Sequence, residues 1–246
     1  GVARNAQLKL KGAPSLYTPY ISFPIDDRRK TGFLIPSFGT SDNSGIELRT
    51  PFYLNLAPNY DATITPRYLE DRGTQLMTEF RYLSPHNEGH VGVEYLPNDD
   101  VTNDNRSRIT IRDEGRYGKH LTTDINYDRV SDKDYLNDLG DSLSLASITH
   151  LQRAAQAQYT TRWWQLGIQL DDYQTVDKNI AQEDRPYQRL PRTTFSMASP
   201  FRPLGIETQL YSEFVHFDAD EQVTSDRVDL WPDISLPIRR SAFESV

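Results

Sequence analysis

Thr74-Gln-Leu-Met-Thr-Glu-Phe-Arg-Tyr-Leu-Ser84 sets Leu76, Thr78, Phe80 and Tyr82 on one side of an extended chain, and Gln75, Glu79 and Arg81 on the other. Successive side chains of a strand point to opposite faces, so this stretch is a ribbon with one apolar and one polar face. The rhythm returns at His120–Val130, where Leu121, Thr123, Ile125 and Tyr127 oppose Thr122, Asp124, Asn126 and Asp128. It returns again at Trp163–Tyr173, with Trp164, Leu166, Ile168 and Leu170 against Gln165, Gln169 and Asp171. A dozen such ribbons describe the wall of a membrane β-barrel better than a soluble core, since a barrel wall needs one face for lipid and one for water.

Working outward, the same reading predicts ribbons at Gly32–Thr40, Gly45–Asn55, Tyr60–Glu70, Gly89–Pro97, Arg106–Glu114, Thr149–Thr160, Leu190–Ala198, Gly205–Phe217 and Arg227–Pro237. With the three above they make an all-β chain of about twelve antiparallel strands, each close to the ~9–11 residues a tilted strand needs to cross the hydrocarbon. No stretch reads as a long amphipathic helix. Connectors alternate in length. Leu56–Asn59, His86–Glu88, Gly115–Lys119, Thr161–Arg162 and Ser199–Leu204 are short, whereas Asn98–Asn105, Ser131–Ile148, Thr175–Arg189 and Asp218–Asp226 are longer and polar. A barrel with tight turns on its periplasmic rim and loops outside has this pattern. Counting Gly32–Thr40 as the first strand puts every long loop on the outer side.

Bulk composition hides this architecture. The chain has 246 residues, 37% of them hydrophobic, and a net charge of −8. Its mean hydropathy is −0.67. No apolar run reaches the roughly 18–20 residues of a membrane-spanning helix, but barrel strands hide their apolar residues at alternate positions. The 14 Tyr and 3 Trp suit interfacial aromatic girdles, although aromatics favour any strand. There is no cysteine, hence no disulfide or thiolate metal site. The acidic balance argues against nonspecific nucleic-acid binding, and no basic stretch offsets it.

Before the ribbons, Ala6, Leu8 and Leu10 alternate with Gln7, Lys9 and Lys11, and then Pro14, Pro19 and Pro24 confine the chain to edge strands and turns. The charged run Asp26-Asp27-Arg28-Arg29-Lys30 breaks the pattern. This divides the chain into a small β region at 1–25, a hinge at 26–31 and the ribbons at 32–246. No signal-peptide pattern precedes it, no closing element follows Ser-Ala-Phe-Glu-Ser-Val246, and both ends read as cut from a longer protein.

Tyr17-Thr-Pro-Tyr-Ile-Ser-Phe-Pro-Ile-Asp-Asp-Arg-Arg-Lys-Thr-Gly-Phe-Leu-Ile-Pro36 and Thr50-Pro-Phe-Tyr-Leu-Asn-Leu-Ala-Pro-Asn-Tyr-Asp-Ala-Thr-Ile-Thr-Pro-Arg-Tyr68 resemble the LptD (OstA/Imp) family of lipopolysaccharide-assembly proteins. The likeness continues in Glu79–Ser84, Tyr95-Leu-Pro97, Tyr127–Asp132, Tyr135-Leu-Asn-Asp138 and Val215-His-Phe217. The resemblance implies an outer-membrane translocon. A periplasmic β-jellyroll would end near residue 25, followed by the first part of a large barrel with a lateral gate. It further implies lipopolysaccharide as cargo, an LptE-like plug lipoprotein, an LptA-like periplasmic bridge, and no cofactor or enzymatic activity. Leu8 and Leu10 would face the jellyroll groove that holds acyl chains; ordinary core packing would give the same pattern.

Three prolines, Pro36, Pro51 and Pro66, interrupt the first predicted strands. Proline has no N–H to donate and fixes φ, so it weakens a ladder. Such positions can shape a rim or bulge, or mark a seam that opens; Pro51 and Pro66 match the family's gate prolines. Glu79, Arg81, Glu94, Arg106, Arg108, Arg112, Asp124, Asp128, Glu207 and Glu213 fall on the polar faces and would line the lumen as solvated residues. The longest loop, Ser131–Ile148, carries Asp132, Asp134, Tyr135, Asp138 and Asp141. It folds into the barrel mouth, capping the lumen or meeting the plug, or else stands out as a solvated external loop. His86, His90, His120, His150 and His216 have no metal-ligand spacing, and no nucleophile elbow or phosphate loop is present. Rival readings are a porin-like or other outer-membrane solute transporter and a soluble all-β carbohydrate-binding protein.

Overall fold

The computed structural model describes residues 2–10, 13–22, 29–141, 143–218 and 223–237. β1 (Val2–Leu10) and β2 (Ala13–Ser22) pair antiparallel as a separate two-stranded sheet, with Leu8 opposite Leu16. The groove-facing role of Leu8 and Leu10 concerns side chains outside the described residues, as do residues 26–28 of the expected hinge. Residues 29–31 carry no strand.

Among the described residues, the strands that follow form one fourteen-stranded antiparallel sheet. Its members are β3 (Gly32–Phe33), β4 (Ser37–Ser41), β5 (Gly45–Arg49), β6 (Phe52–Ala57), β7 (Tyr60–Leu69), β8 (Gly73–Leu83) and β9 (Asn87–Leu96). β10 (Arg106–Tyr117), β11 (Leu121–Val130), β12 (His150–Thr160), β13 (Trp164–Thr175), β14 (Gln188–Ala198), β15 (Glu207–Asp218) and β16 (Ser225–Ser235) complete it. From β7 to β16 each strand neighbours the next in sequence, as in an up-and-down barrel wall, and among the described residues β16 and β4 do not pair to close the sheet.

The structure adds detail to two readings. The first two ribbons are each cut in two, Gly32–Thr40 into β3 and β4, and Gly45–Asn55 into β5 and β6, so fourteen strands replace about twelve. Pro36 and Pro51 therefore lie in breaks between strands, while Pro66 stays inside β7. The connector Ser131–Ile148 is also not irregular throughout: it forms α1 (Tyr135–Leu139) and α2 (Leu143–Ala146).

The chain divides into two compact units. In the first, residues 1–112 with 128–149, the polar face carries the buried Arg67, Gln75 and Arg106, whereas Phe33, Ile35, Phe38, Tyr68, Leu76 and Tyr95 are exposed on the other. In the second, residues 113–127 with 150–246, Asp171 and Glu213 are buried while Ile168, Leu170 and Phe214 are exposed. Charge inside and hydrocarbon outside invert the arrangement of a water-soluble sandwich, and suit a sheet whose apolar face is solvated by lipid. Aromatic rings gather beside the short turns. Tyr60, Phe80 and Tyr82 pack together in the first unit, and His120, Tyr159, Trp164 and Phe195 stack in series in the second. Rings with a polar edge favour the membrane interface, so each row, within its own unit, suits an interfacial girdle. No helix among the described residues is long and apolar enough to cross a membrane.

Candidate functional site

The site lies wholly in the first unit and has two parts, a docked loop and a pair of broken ladders. The loop begins where β11 ends. Tyr135, Leu136 and Leu139 of α1 are buried, and they bring polar partners down onto the polar face of β7–β10. The Tyr135 hydroxyl accepts from Gln75 Nε2 at 2.8 Å and donates to Glu94 Oε2 at 2.8 Å. Burial first, and then the Glu94 carboxylate, push the Tyr135 phenol up, which keeps the donated proton in place. Arg67 Nη1 donates to the Leu139 carbonyl at 2.7 Å and to Gln75 Oε1 at 3.1 Å, while its Nη2 pairs with Glu47 at 2.8 Å.

Arg106 is the hub. It forks onto Asp132 at 2.9 and 2.7 Å, and its Nη1 reaches Asp138 at 2.8 Å and Asp99 at 3.1 Å. Its guanidinium also sits 5.6 Å from the Tyr135 ring centroid, within cation–π range. Asp99, 0% exposed, is shared with Arg72 Nη1 at 2.7 Å, and Arg72 Nη2 contacts Asp138 at 3.2 Å. Burial works to raise the Asp99 carboxyl, but the Val101 N–H and the Arg106 and Arg72 guanidiniums outweigh it and hold the group below the usual carboxylate range. Asp132 is depressed likewise: Arg106 and Ser131 overcome its desolvation. Buried charges persist where each is paired and hydrogen-bonded, as here.

Of the residues expected to line a polar interior, the structure draws Glu94, Arg106, Arg108 and Asp128 into or beside this dock. Arg108 binds Asp128 bidentately at 3.0 and 2.8 Å. From the loop, Asp132, Tyr135 and Asp138 join the dock directly, and Asp134 donates its backbone N–H to Asp132 at 3.1 Å. Glu79, Arg81 and Arg112 share the same face by register but lie outside it. Arg81 donates to the buried Asp61 at 2.8 Å and has Glu79 4.0 Å away, and Arg112 Nη1 donates to the Ile111 carbonyl at 3.0 Å. In the second unit Asp124 accepts from Gln156, Arg202 pairs with Glu207, and Glu213 is flanked by Arg192 and Arg227. Simple solvation therefore does not describe the residues of the dock: Arg106 retains 2% side-chain exposure.

Sequence reading missed Arg67, Arg72, Gln75 and Asp99. A signal for two of them was present, since Gln75 shares the parity of Glu79 and Arg81, and Arg67 is its cross-strand partner. Asp99 and Arg72 sit in connectors, where alternation carries no information. Among the described residues, no three His, Asp or Glu side chains are grouped to hold a metal.

The second part is the pair of broken ladders. Arg49 faces Arg67 and Phe52 faces Ile64, so the register carries through the break and sets Thr50 opposite Pro66. Thr50 N donates to the Pro66 carbonyl at 3.1 Å, but Pro66 has no hydrogen with which to return the bond. One strand over, Phe33 faces Phe52, and Leu34 N donates to the Pro51 carbonyl at 2.9 Å. Pro51 cannot reciprocate either. Beyond that pair, Leu34–Pro36 lie opposite only Thr50 and Pro51 before Ser37 meets Arg49, a bulge that contains Pro36. Two adjacent ladders thus each lose one half of a reciprocal pair at the same level. Proline alone does not produce this, because β14 absorbs Pro191 in a local register shift between Arg189 and Arg192.

An antiparallel sheet with buried charge on one face, a lipid-suited apolar face, aromatic rows beside its turns and a loop docked on its polar face defines a transmembrane β-barrel protein of the outer-membrane type. The family model of LptD, LPS transport system D, matches residues 104–244, more than half of the chain. The chain belongs to this family. It is 43% identical over 241 residues to the LPS-assembly protein LptD of Nitrosococcus oceani, covering 97% of this chain and 33% of that protein. It is 39% identical over 247 residues to the protein of that name from Alkalilimnicola ehrlichii (98% and 32%) and 37% identical over 274 residues to that of Pseudomonas aeruginosa LESB58 (98% and 29%). The chain therefore spans about a third of the length of these curated relatives.

Proposed function

We propose that this chain is the part of an outer-membrane lipopolysaccharide translocon that carries one side of its lateral gate. In this reading, residues 1–25 end a periplasmic jellyroll, 26–31 form the hinge, and 32–246 begin the barrel, with the long loops outside the cell and the N-terminal segment in the periplasm. An LptA-like bridge delivers lipopolysaccharide to the jellyroll, and an LptE-like lipoprotein plugs the barrel. The protein moves lipid rather than transforming it. Family membership and the relatives' names as LPS-assembly proteins support this over a porin-like solute transporter.

The observation that carries the gate is the proline-deleted pairing at Leu34/Pro51 and Thr50/Pro66. A backbone hydrogen bond contributes about 0.5–1.5 kcal/mol net, so two missing ones weaken the first strands by about 1–3 kcal/mol. An intact wall resists this because unpaired backbone groups in hydrocarbon are costly. A seam that must part for acyl chains gains from it. The charged face with Glu79, Arg81 and Arg112 offers a wet route for a sugar–phosphate head group while the tails remain in lipid. Replacing Pro51 and Pro66 with Thr and Val in the full-length protein is expected to restore the donors, tighten the seam and reduce surface lipopolysaccharide. Unchanged surface delivery and unchanged outer-membrane permeability in the double variant would sink the gate assignment.

A further inference from the structure

Within the second unit, the register sorts side chains between the two faces of β13–β16, because directly opposed residues of an antiparallel pair point the same way. Gln165, Ser196, Tyr211 and Trp231 form one row across the four strands. Two residues along, Gly167, Thr194 and Glu213 form the next, and Gln169 with Arg192 the one after. Glu213 is buried between Arg192 and Arg227, so these rows lie on the polar face. The alternate row, Leu166, Phe195 and Leu230, belongs to the apolar face.

Aromatic rings on the polar face do not serve a lipid-facing girdle. Tyr211 and Trp231 meet edge to face, with centroids 6.4 Å apart and planes at 70°. The Tyr211 hydroxyl donates to Glu213 at 3.2 Å, which fixes the outer edge of its ring. Together with Trp163 these rings line a pocket of about 470 Å³, a size typical of small-molecule sites. Gln165, Ser196 and Asp233 bring hydrogen-bonding groups to the same pocket. Asp233 is its one charged lining residue among those described, and none is basic. A second pocket of about 130 Å³ continues it along the strands, walled by Gln156, Gln158, Gln169, Thr194 and Arg192. Gly167 leaves room there, since a Cβ would lie 2.6 Å from Thr194 Oγ1.

The lining selects among ligands. An acyl chain would desolvate the amides without pairing them. A phosphate would meet Asp233 in the aromatic pocket with no cation to offset the repulsion. A pyranose suits both halves: its C–H face carries slight positive charge and rests against the negative face of an aromatic ring. Its hydroxyls both donate and accept, as Gln amides and Ser hydroxyls do. We propose that Trp163, Tyr211 and Trp231 with the adjoining glutamines bind the uncharged sugar units of a glycan, the rings seating it and the amides guiding its continuation. This rests on the transport reading above and names the part of the cargo that this face receives, the neutral saccharide as distinct from the phosphates and acyl chains.

The test uses the full-length protein isolated from outer membranes. The probe is the core oligosaccharide of lipopolysaccharide, freed of lipid by mild acid and dephosphorylated, with saturation-transfer NMR as the readout. The parent is expected to saturate the sugar C–H signals. Trp231→Ala should weaken binding about tenfold, while Trp231→Phe, which keeps a ring, stays within about threefold of the parent. Gln165→Ala should weaken it about two- to tenfold by removing a hydrogen bond, and it decides the matter if Trp231→Ala does not assemble. Phe195→Ala, on the apolar face, should bind as the parent does. No binding by the parent, binding undiminished by either alanine change on the polar face, equal weakening by Phe195→Ala, or displacement of the sugar by inorganic phosphate overturns the proposal. A photocrosslinker at Gln209, which also lines the aromatic pocket, should capture lipopolysaccharide in growing cells. Capture of protein alone overturns the proposal and makes the patch a docking surface for a plug. If surface lipopolysaccharide still falls in the Pro51/Pro66 double variant, any of these failures leaves the transport reading standing.

Discussion

Replacing Tyr135 with Phe removes one oxygen from the dock and leaves the ring. In the parent that hydroxyl accepts from Gln75 and donates to Glu94, both at 2.8 Å, in a site where Tyr135 is 1% exposed. Gln75 keeps partners, because its Oε1 still accepts from Arg67 and its Nε2 lies 3.3 Å from Glu94. The uncompensated loss is the charge-assisted bond to Glu94, worth about 1.5–3 kcal/mol. At 1.4 kcal/mol per decade, the opening equilibrium of the loop shifts by about 10- to 150-fold. Hydrogen exchange reads it directly, since Asp138 N and Gly140 N are bonded within α1 to the Asp134 and Leu136 carbonyls and exchange when the loop lifts and unwinds. Both amides should exchange faster by that factor in Tyr135→Phe, with the β7–β8 ladder unchanged as internal reference. A Glu94→Gln background should shrink the effect, since the acceptor is then neutral. Exchange in Tyr135→Phe within about twofold of the parent would refute the account of how the loop is held, because such a change is only ~0.4 kcal/mol.

Three further outcomes follow from the same geometry. Asp99 and Asp132 have folded values below their unfolded ones, so their contribution is fully present above the ordinary carboxylate value and is lost as pH falls through the folded values. The loop should resist pepsin down to about pH 4 and yield below it, with Asp99→Asn removing part of that dependence; equal cleavage across the range would contradict the pairing. Asp99→Ala should loosen the loop further than Tyr135→Phe, by about 3 kcal/mol, because it takes from the buried Arg72 and Arg106 the fully buried carboxylate they share and leaves them only the partly exposed Asp138 and Asp132; denaturant titration of loop exchange measures this. Gly45 has φ +69°, and a Cβ there would lie 2.7 Å from an Asp71 carboxylate oxygen. Gly45→Ala should therefore cost about 1 kcal/mol or more and raise exchange in β4–β5, with no change at β13–β14.

How much of this was legible beforehand differs by element. The ribbons at Thr74–Ser84 and His120–Val130 became β8 and β11 with ends shifted by a residue or so, because alternation is a local property of an extended backbone. The same parity put Glu94, Arg106, Arg108 and Asp128 on one face. The prolines announced weak pairing at the first strands. Alternation could not say that Gly32–Thr40 and Gly45–Asn55 would split, since the split depends on which residue faces which across the ladder.

Sequence by itself thus determined the strands, their order and the chemistry of their two faces, since each follows from side chains a few positions apart. Only the tertiary structure decided the fate of Ser131–Ile148. Its helix has weak periodicity over five residues, and its partners lie far away in the chain, Asn43 and Ser44 each 94 residues before their loop contacts. Burial of Asp99 and Arg106 was equally hidden, because a charge becomes a core group only when opposite charges from separate connectors meet it away from water. The contacts between the first hairpin and the loop are made of such meetings, and no local pattern encodes them.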